Sequence, residues 1–285
     1  MRIAFNGLEL GDDSLYRVTS IDGLDSLPDL SIGIAPKPRR HGSWLGGKLA
    51  QKRVITMNFD ILGDPDNEWL TTRPKNALAK AFQIMDEELP LIFDMGYGED
   101  SVRVMASVTA LDLPIGQNYT RFRSGTVEFT CTDPHKYATA TRKGTARVPE
   151  VPVATPYGAA YGFPYSITTG LSGTFKATND GNTPAPVVYK VRGPVTRPII
   201  MLDDSAKGNR TTKFLLTLKA KDELVVDTAK NSVLVNGEDR FGFATGALVA
   251  DLTLRPGTTT VSFRGSNTGG DTAPSLTATW RDTSR

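Results

Sequence analysis

Residues 126–137 read TVEFTCTDPHKY, and this stretch constrains the chain more than any other. Val127, Phe129 and Cys131 fall on one side of an extended backbone and Glu128, Thr130 and Thr132 on the other, which is the period of a strand with one face against a core. The strand must stop at Asp133-Pro134, because proline has no N–H for a ladder and pushes the residue before it out of helical geometry. A body of structure therefore closes here. The text before it contains one helical pattern among strands, and the text after a proline-rich stretch contains strands alone.

Before the closing strand, residues 2–5 and 8–10 are short extended segments around Asn6-Gly7, a pair that tolerates the positive backbone angles of a two-residue hairpin. Residues 15–21 read as a further strand. Residues 53–62 are the clearest one, with Ile55, Met57, Phe59 and Ile61 alternating with Val54, Thr56, Asn58 and Asp60. A helix is expected near residues 72–89, opening at Thr72-Arg73-Pro74 and carrying Leu78, Ala81, Phe82, Met85 and Leu89 on one stripe. Strands at 91–94 and from Val102 to Val108, joined by a Gly96-Tyr97-Gly98 turn, lead back to the closing strand.

Residues 35–52 interrupt this pattern. With two prolines, three glycines and Trp44, they are expected to form a loop or arm with no regular element. No acidic residue occurs from Leu30 to Phe59, whereas Lys37, Arg39, Arg40, Lys48, Lys52 and Arg53 are basic. A nucleic-acid contact would want several stacking aromatics, a solvated loop would not need the tryptophan, and arginine and tryptophan are enriched where subunits meet. The preferred reading is an arm on a neighbouring subunit, with Arg39, Arg40, Trp44 and Arg53 as the contact.

Residues 141–170 carry Pro149, Pro152, Pro156 and Pro164 and a near-repeat at Tyr157-Gly158 and Tyr161-Gly162, the composition of a tether. The expected division is 1–140, a linker at 141–170, and a β-sandwich at 171–285. Strands in the last part are expected at 173–178, 187–191, 199–202, 213–218, 223–227, 232–235, 248–254, 259–263 and 276–280, with turns at Asn236-Gly237 and Arg255-Pro256-Gly257 among others.

Candidate chemistry is sparse. Gly11-Asp12-Asp13-Ser14-Leu15 resembles a lipase serine signature with one residue inserted, but neither His41 nor His135 stands in a context that supplies a base. Asp64-Pro65-Asp66-Asn67-Glu68 lacks the spaced glycine and distal glutamate of a calcium loop, and Asp203-Asp204 reads as solvated loop. No phosphate loop or Cys/His cluster is present, so no catalytic residue, metal or cofactor is expected. Cys131, the only cysteine, excludes an intrachain disulfide and reads as a small buried apolar residue. A sugar ring could stack on Trp280 or on Phe241 and Phe243 beside Asp239, although core or edge packing is the plainer reading of these aromatics. The net charge of +2 makes no general case for nucleic acid. The N-terminus has no signal-peptide pattern, and no apolar run approaches the roughly 20 residues of a membrane span. A soluble, cytoplasmically made protein without membrane insertion is expected.

A resemblance adds to this. The opening RIAFNGLELGDDSLYRVTSIDGLD, the F-x-C-x-D-P-x-x-Y that closes the first part, and then LVVDTAKNSVLVNG and LRPGTTTVSFRG in the β-rich part together resemble the distal tail proteins of long-tailed phages. The resemblance implies a mainly β chain with one helix: an N-terminal β-sandwich or α+β ring-forming domain, then a galectin-like or carbohydrate-module-like β-sandwich. It also implies a homo-hexameric ring at the virion tail tip, assembled in the host cytoplasm, with the tail tube protein, the tape measure protein and a tail-tip hub protein as partners. Two alternatives stay open: a host-adhesion module that binds a surface glycan, and a tube or hub component of a contractile tail.

Overall fold

The computed structural model describes residues 1–63, 71–96, 101–117, 122–147, 173–204, 208–266 and 273–285. The turn expected at Gly96-Tyr97-Gly98 lies partly outside the described residues. The Asp64 to Glu68 segment and the proline- and tyrosine-bearing part of the expected linker lie wholly outside them. The chain divides into two compact units, Met1–Thr139 with Arg285, and Ala140–Ser284.

The first unit contains β1 (Arg2–Phe5), β2 (Leu8–Gly11), β3 (Tyr16–Asp22), β4 (Leu30–Pro36), β5 (Ser43–Ala50), β6 (Arg53–Leu62), α1 (Thr72–Ala81), β7 (Leu89–Asp94), β8 (Val102–Asp112), β9 (Phe122–Cys131) and β10 (Lys136–Ala138). Its main sheet runs β2-β1-β7-β8-β9-β6-β3. β8 is the pivot: Val102 to Ala106 pair with β7, and Ser107 to Asp112 pair with β9 across a bulge between Val108 and Ala110. One long strand thus serves two pairings, and the bulge supplies the bend. The alternation of β6 is realised: Ile55, Met57, Phe59 and Ile61 are all buried.

Asn6 and Gly7 both take positive φ, 46° and 77°, so the β1–β2 turn has the handedness that suits a twisted hairpin. Asn6 also donates from Nδ2 to the carbonyl of Ala81 at 2.9 Å, satisfying an orphan acceptor at the end of α1. The helix is shorter than its apolar spacing predicts. It stops at Ala81, where Phe82 leaves the helix and enters an aromatic cluster with Phe5, Phe59 and Phe129 at centroid distances of 5.1 to 6.4 Å. Asp86-Glu87-Glu88 would place negative charge at the negative end of the helix dipole, and Pro90 disfavours helical geometry at Leu89, which instead starts β7.

The second unit contains β11 (Arg142–Arg147), β12 (Thr174–Asn179), β13 (Val187–Arg192), β14 (Val195–Asp204), β15 (Gly208–Phe214), β16 (Thr217–Leu218), β17 (Glu223–Asp227), β18 (Ser232–Val235), β19 (Glu238–Asp239), β20 (Ala244–Gly246), β21 (Gly257–Ser266) and β22 (Ser275–Trp280). One sheet runs β11-β22-β13-β17-β18-β19; the other runs β12-β21-β14-β15-β20, with β16 against β14. One continuous core takes Tyr189 and Val226 from the first sheet and Leu202, Phe214 and Phe263 from the second, so the two sheets pack as a sandwich. Residues 142–147, within the expected linker, form an edge strand of this sandwich, registered on β22 from Arg142↔Trp280 to Arg147↔Ser275. The strand expected at 248–254 is absent. Val249 to Asp251 form a 3-10 turn, with Val249 and Leu252 buried three residues apart, the period of that helix and not of a strand.

Candidate functional site

The arm has a structure that its composition conceals. Among the described residues β4 and β5 pair only with each other, as an antiparallel hairpin, and not as the irregular loop expected over 35–52. Pro36 and Pro38 lie at the turn end, where Lys37 N–H donates to Gly42 O at 3.1 Å, so neither breaks the ladder. The register slips once, from Ile32↔Lys48 to Ile34↔Leu45, and Gly46-Gly47 absorb the extra residue. A Cβ on Gly46 would meet Gly33 O at 2.8 Å, which explains why glycine stands at this bulge.

The slip decides which side chains share a face. Leu30, Ile32, Ile34 and Leu45 line one face, while Trp44 and Leu49 lie on the other with Ser31 and Ala35. All six large apolar side chains are exposed, Ile34 at 63 %, Leu45 at 66 % and Trp44 at 62 %. Lys37 Nζ sits 4.9 Å from the Trp44 ring centroid, a cation–π contact at the surface. Arg39 and Arg40 are exposed at the tip. A two-stranded hairpin with neither face covered is marginal in water, so this one calls for a surface to lie on.

Arg53 does not belong to that contact, contrary to the reading of the basic run. It is 1 % exposed, and its Nη1 donates to the carbonyls of Gly23, Leu24 and Ser26 at 2.6, 2.8 and 2.7 Å while Nε donates to Pro134 O at 3.0 Å. Burial lowers its pKa from the ordinary arginine value. The side chain ties the chain entering the arm to the turn that closes the unit, and Gln51 N–H donating to Asp29 O at 2.7 Å closes the root of the hairpin. Gly23, at φ 88°, crosses β6 so closely that a Cβ would lie 2.0 Å from Val54 O.

The closing turn is a compact polar knot. Asp133 Oδ1 accepts from His135 N–H at 3.1 Å and lies 2.6 Å from His135 Nδ1, while Tyr137 Oη donates to Asp133 Oδ2. Burial opposes ionisation of Asp133, but the bonds from His135 and Tyr137 outweigh it and hold the carboxyl below its usual range. His135 is thereby committed to the turn. Cys131 is fully buried, and burial pushes its thiol up to about 12, which makes it unreactive. Ser14 Oγ bonds within its own turn, to the carbonyls of Gly11 and Tyr16, and has no histidine partner. The nearby cleft of about 360 Å³ is lined by charges that pair with each other, Met1 with Asp12 and Arg2 with Glu9. No cluster able to hold a metal occurs among the described residues.

In the second unit the suggested sugar-binding residues separate. Trp280 is 5 % exposed, its Nε1 donates to Thr178 O at 2.9 Å, and its ring stacks on Phe175 at 6.5 Å. It is core and cannot stack on a ligand. Phe241 and Phe243 are 40 % and 44 % exposed in a 3-10 turn after β19, with Asp239 Oδ1 accepting from Phe241 N–H at 2.9 Å. β13, β17 and β18 lie between β22 and β19 in the sheet, so these residues do not converge with Trp280. Asp204, expected in a solvated loop, is buried: its Oδ2 faces Arg210 at 2.8 Å and Arg255 at 3.3 Å, and Thr259 donates to Oδ1 at 2.5 Å.

Set against solved structures, the chain aligns over 99 % of its length with 98 % of the crystal structure of SPP1 Dit (gp 19.1), described as a paradigm of the hub adsorption apparatus in phages infecting Gram-positive bacteria, at TM-score 0.63 and 14 % identity. It shares the fold of SPP1 Dit. That Dit-like fold runs through both units, in order, as the sequence resemblance implies. The activated phage P2 baseplate with Ca aligns more loosely, over 94 % of this chain and 91 % of that one, at TM-score 0.45 and 11 % identity. No family model matches the sequence, and no curated protein does. No helix is long and apolar enough to cross a membrane among the described residues.

Proposed function

We propose that this protein is a structural component of a long-tailed phage virion, a distal tail protein that closes as a hexameric ring at the tail tip. The ring joins the tail tube protein and the end of the tape measure to the hub or baseplate, and it is assembled in the host cytoplasm. The observation that carries this reading is the likeness to SPP1 Dit across nearly the whole of both chains. The exposed hairpin supports it physically. Identical subunits close into a ring through two different surfaces of each copy, and an arm with uncovered apolar faces supplies one of them. Arg39, Arg40 and Trp44 are the contact residues in this reading. The role is geometric: a ring of this kind surrounds a channel and performs no reaction.

Native mass measurement with negative-stain imaging over rising protein concentration tests it. An annulus of hexameric mass is expected, lost in the Arg40→Ala/Trp44→Ala variant; a monomer at every concentration overturns the reading. A second reading, glycan binding, retains Asp239, Phe241 and Phe243, because the two rings are exposed beside a carboxylate. Full-length protein that binds no sugar on a glycan array, or binds equally after Phe241→Ala/Phe243→Ala, removes that reading.

A further inference from the structure

The turn after α1 complements the arm in charge and in polarity. Ile84, at 95 % exposure, is the most exposed large apolar side chain among the described residues. Asp86 and Glu87 beside it are exposed and have no ion-pair partner among the described residues. The turn is nevertheless held at both ends: Phe82 is packed among Phe5, Phe59 and Phe129, and Glu88 Oε1 accepts from Thr132 N–H at 2.7 Å. Such a surface binds without a large ordering cost. The arm offers the opposite features. Its apolar stripe of Leu30, Ile32, Ile34 and Leu45 is uncovered, and Arg39, Arg40 and Lys48 likewise have no ion-pair partner among the described residues. Lys48 pairs in register with Ile32, which places a cation on the apolar face itself.

We propose that the arm of one copy seats on the turn after α1 of a second copy, Ile84 entering the stripe of Leu30, Ile32, Ile34 and Leu45 while Asp86 and Glu87 face Arg39, Arg40 and Lys48. The proposal rests on the ring-forming reading and adds the receiving surface to it. Each copy gives an arm and presents a turn, so the contact is heterologous and propagates head to tail until it closes. Opposite charges select the register of the encounter, and the apolar pairing holds it.

Charge reversal in the full-length protein tests this, read as the concentration at half assembly by sedimentation velocity. Arg39→Glu/Arg40→Glu and Asp86→Lys/Glu87→Lys are each expected to raise that concentration about tenfold or more, since like charges brought together oppose docking. Combining all four changes in one chain is expected to bring it back within about threefold of the unaltered protein. Zero-length carbodiimide coupling of an isotopically mixed, unaltered sample gives a reading independent of any substitution: peptides carrying Lys48 joined to Asp86 or Glu87 are expected between copies. Assembly that ignores the Asp86/Glu87 reversal, failure of the combined variant to recover, or absence of the cross-link overturns the receiving surface while leaving the ring intact. An unaltered protein that never assembles overturns both.

Discussion

Trp44 lies 62 % exposed on a hairpin that pairs with no other strand among the described residues, whereas Trp280 lies 5 % exposed at the end of β22, between β11 and β13 in a six-stranded sheet. The side chain is the same, and so is its enrichment at sites of recognition. What differs is the neighbourhood two residues away. Leu276 and Ala278 precede Trp280 on its own face and are both buried, so the tryptophan completes a stripe that one wall of the sandwich requires. Trp44 is followed by Leu45-Gly46-Gly47; Leu45 falls on the opposite face from the tryptophan by strand alternation, and the bulge aligns it with Leu30, Ile32 and Ile34, so the hairpin presents apolar surface on both sides and satisfies neither internally. An aromatic that continues a period-2 stripe belongs to its own fold; one that stands beside a register slip in a projecting element is available to something else.

The largest effect should come from breaking the buried half of this pair. Trp280→Ala removes a ring stacked on Phe175 and the donor to Thr178 O, and large-to-small changes of this kind cost about 3–5 kcal/mol. Denaturant unfolding of the full-length protein, with hydrogen exchange reporting on β13 and β22, should show the second unit destabilised by that amount. A loss below about 0.5 kcal/mol, the range of ordinary surface changes, would mean that the ring is not part of the core.

Arginines divide in the same way, and less expectedly, because a charged side chain is ordinarily exposed unless it is paired. Arg53 and Arg40 belong to one basic run, yet Arg53 is enclosed by four carbonyls and Arg40 is in water. Arg53→Met keeps much of the volume but leaves those acceptors unmatched, at a cost of about 3 kcal/mol, with faster exchange expected at residues 23–29. Arg53→Lys should recover part of the loss, since an ammonium cannot span the fork that a guanidinium fills. Arg40→Ala should change stability by less than about 0.5 kcal/mol. Equal losses for Arg53 and Arg40 would erase the distinction between root and tip.

The parts of the fold written in local grammar were legible. The alternation of β6, the Asn6-Gly7 and Asn236-Gly237 turns and the stop at Asp133-Pro134 each follow from a residue and its immediate neighbours, and each is found where that grammar places it. What escaped depended on distant parts of the chain. The helix ends early where Phe82 meets three aromatic partners distant in sequence, so residues 83–88, expected to be helical, form the turn that carries Ile84 and Asp86. Arg53 finds its carbonyls about thirty and eighty residues away, and Asp204 finds Arg255 and Thr259 about fifty residues on. The sequence marks residues 35–52 as a break in the strand pattern, a loop or arm, and does not reveal the hairpin. Its glycines read as breakers, whereas the one close approach they permit, Gly46 against Gly33, is what lets two strands pair around a slip. The apolar stripe had a signal that composition obscured: Leu30, Ile32 and Ile34 alternate up to Pro36, as they must in an extended segment.

The smallest effect is the one on which the outward reading of Trp44 depends. Trp44→Ala removes a ring that touches Lys37 and is otherwise largely in water, so the isolated subunit should unfold within about 0.5 kcal/mol of the unaltered protein. Assembly should move much further, because a tryptophan whose burial begins only on docking contributes its transfer free energy to the contact and almost none to the fold. Measuring both quantities on the same preparation separates the two halves of the comparison. A variant that loses stability and assembly in equal measure would place Trp44 beside Trp280 as an ordinary core residue, and the hairpin would then be part of the unit's own packing and not a surface held out for a second copy.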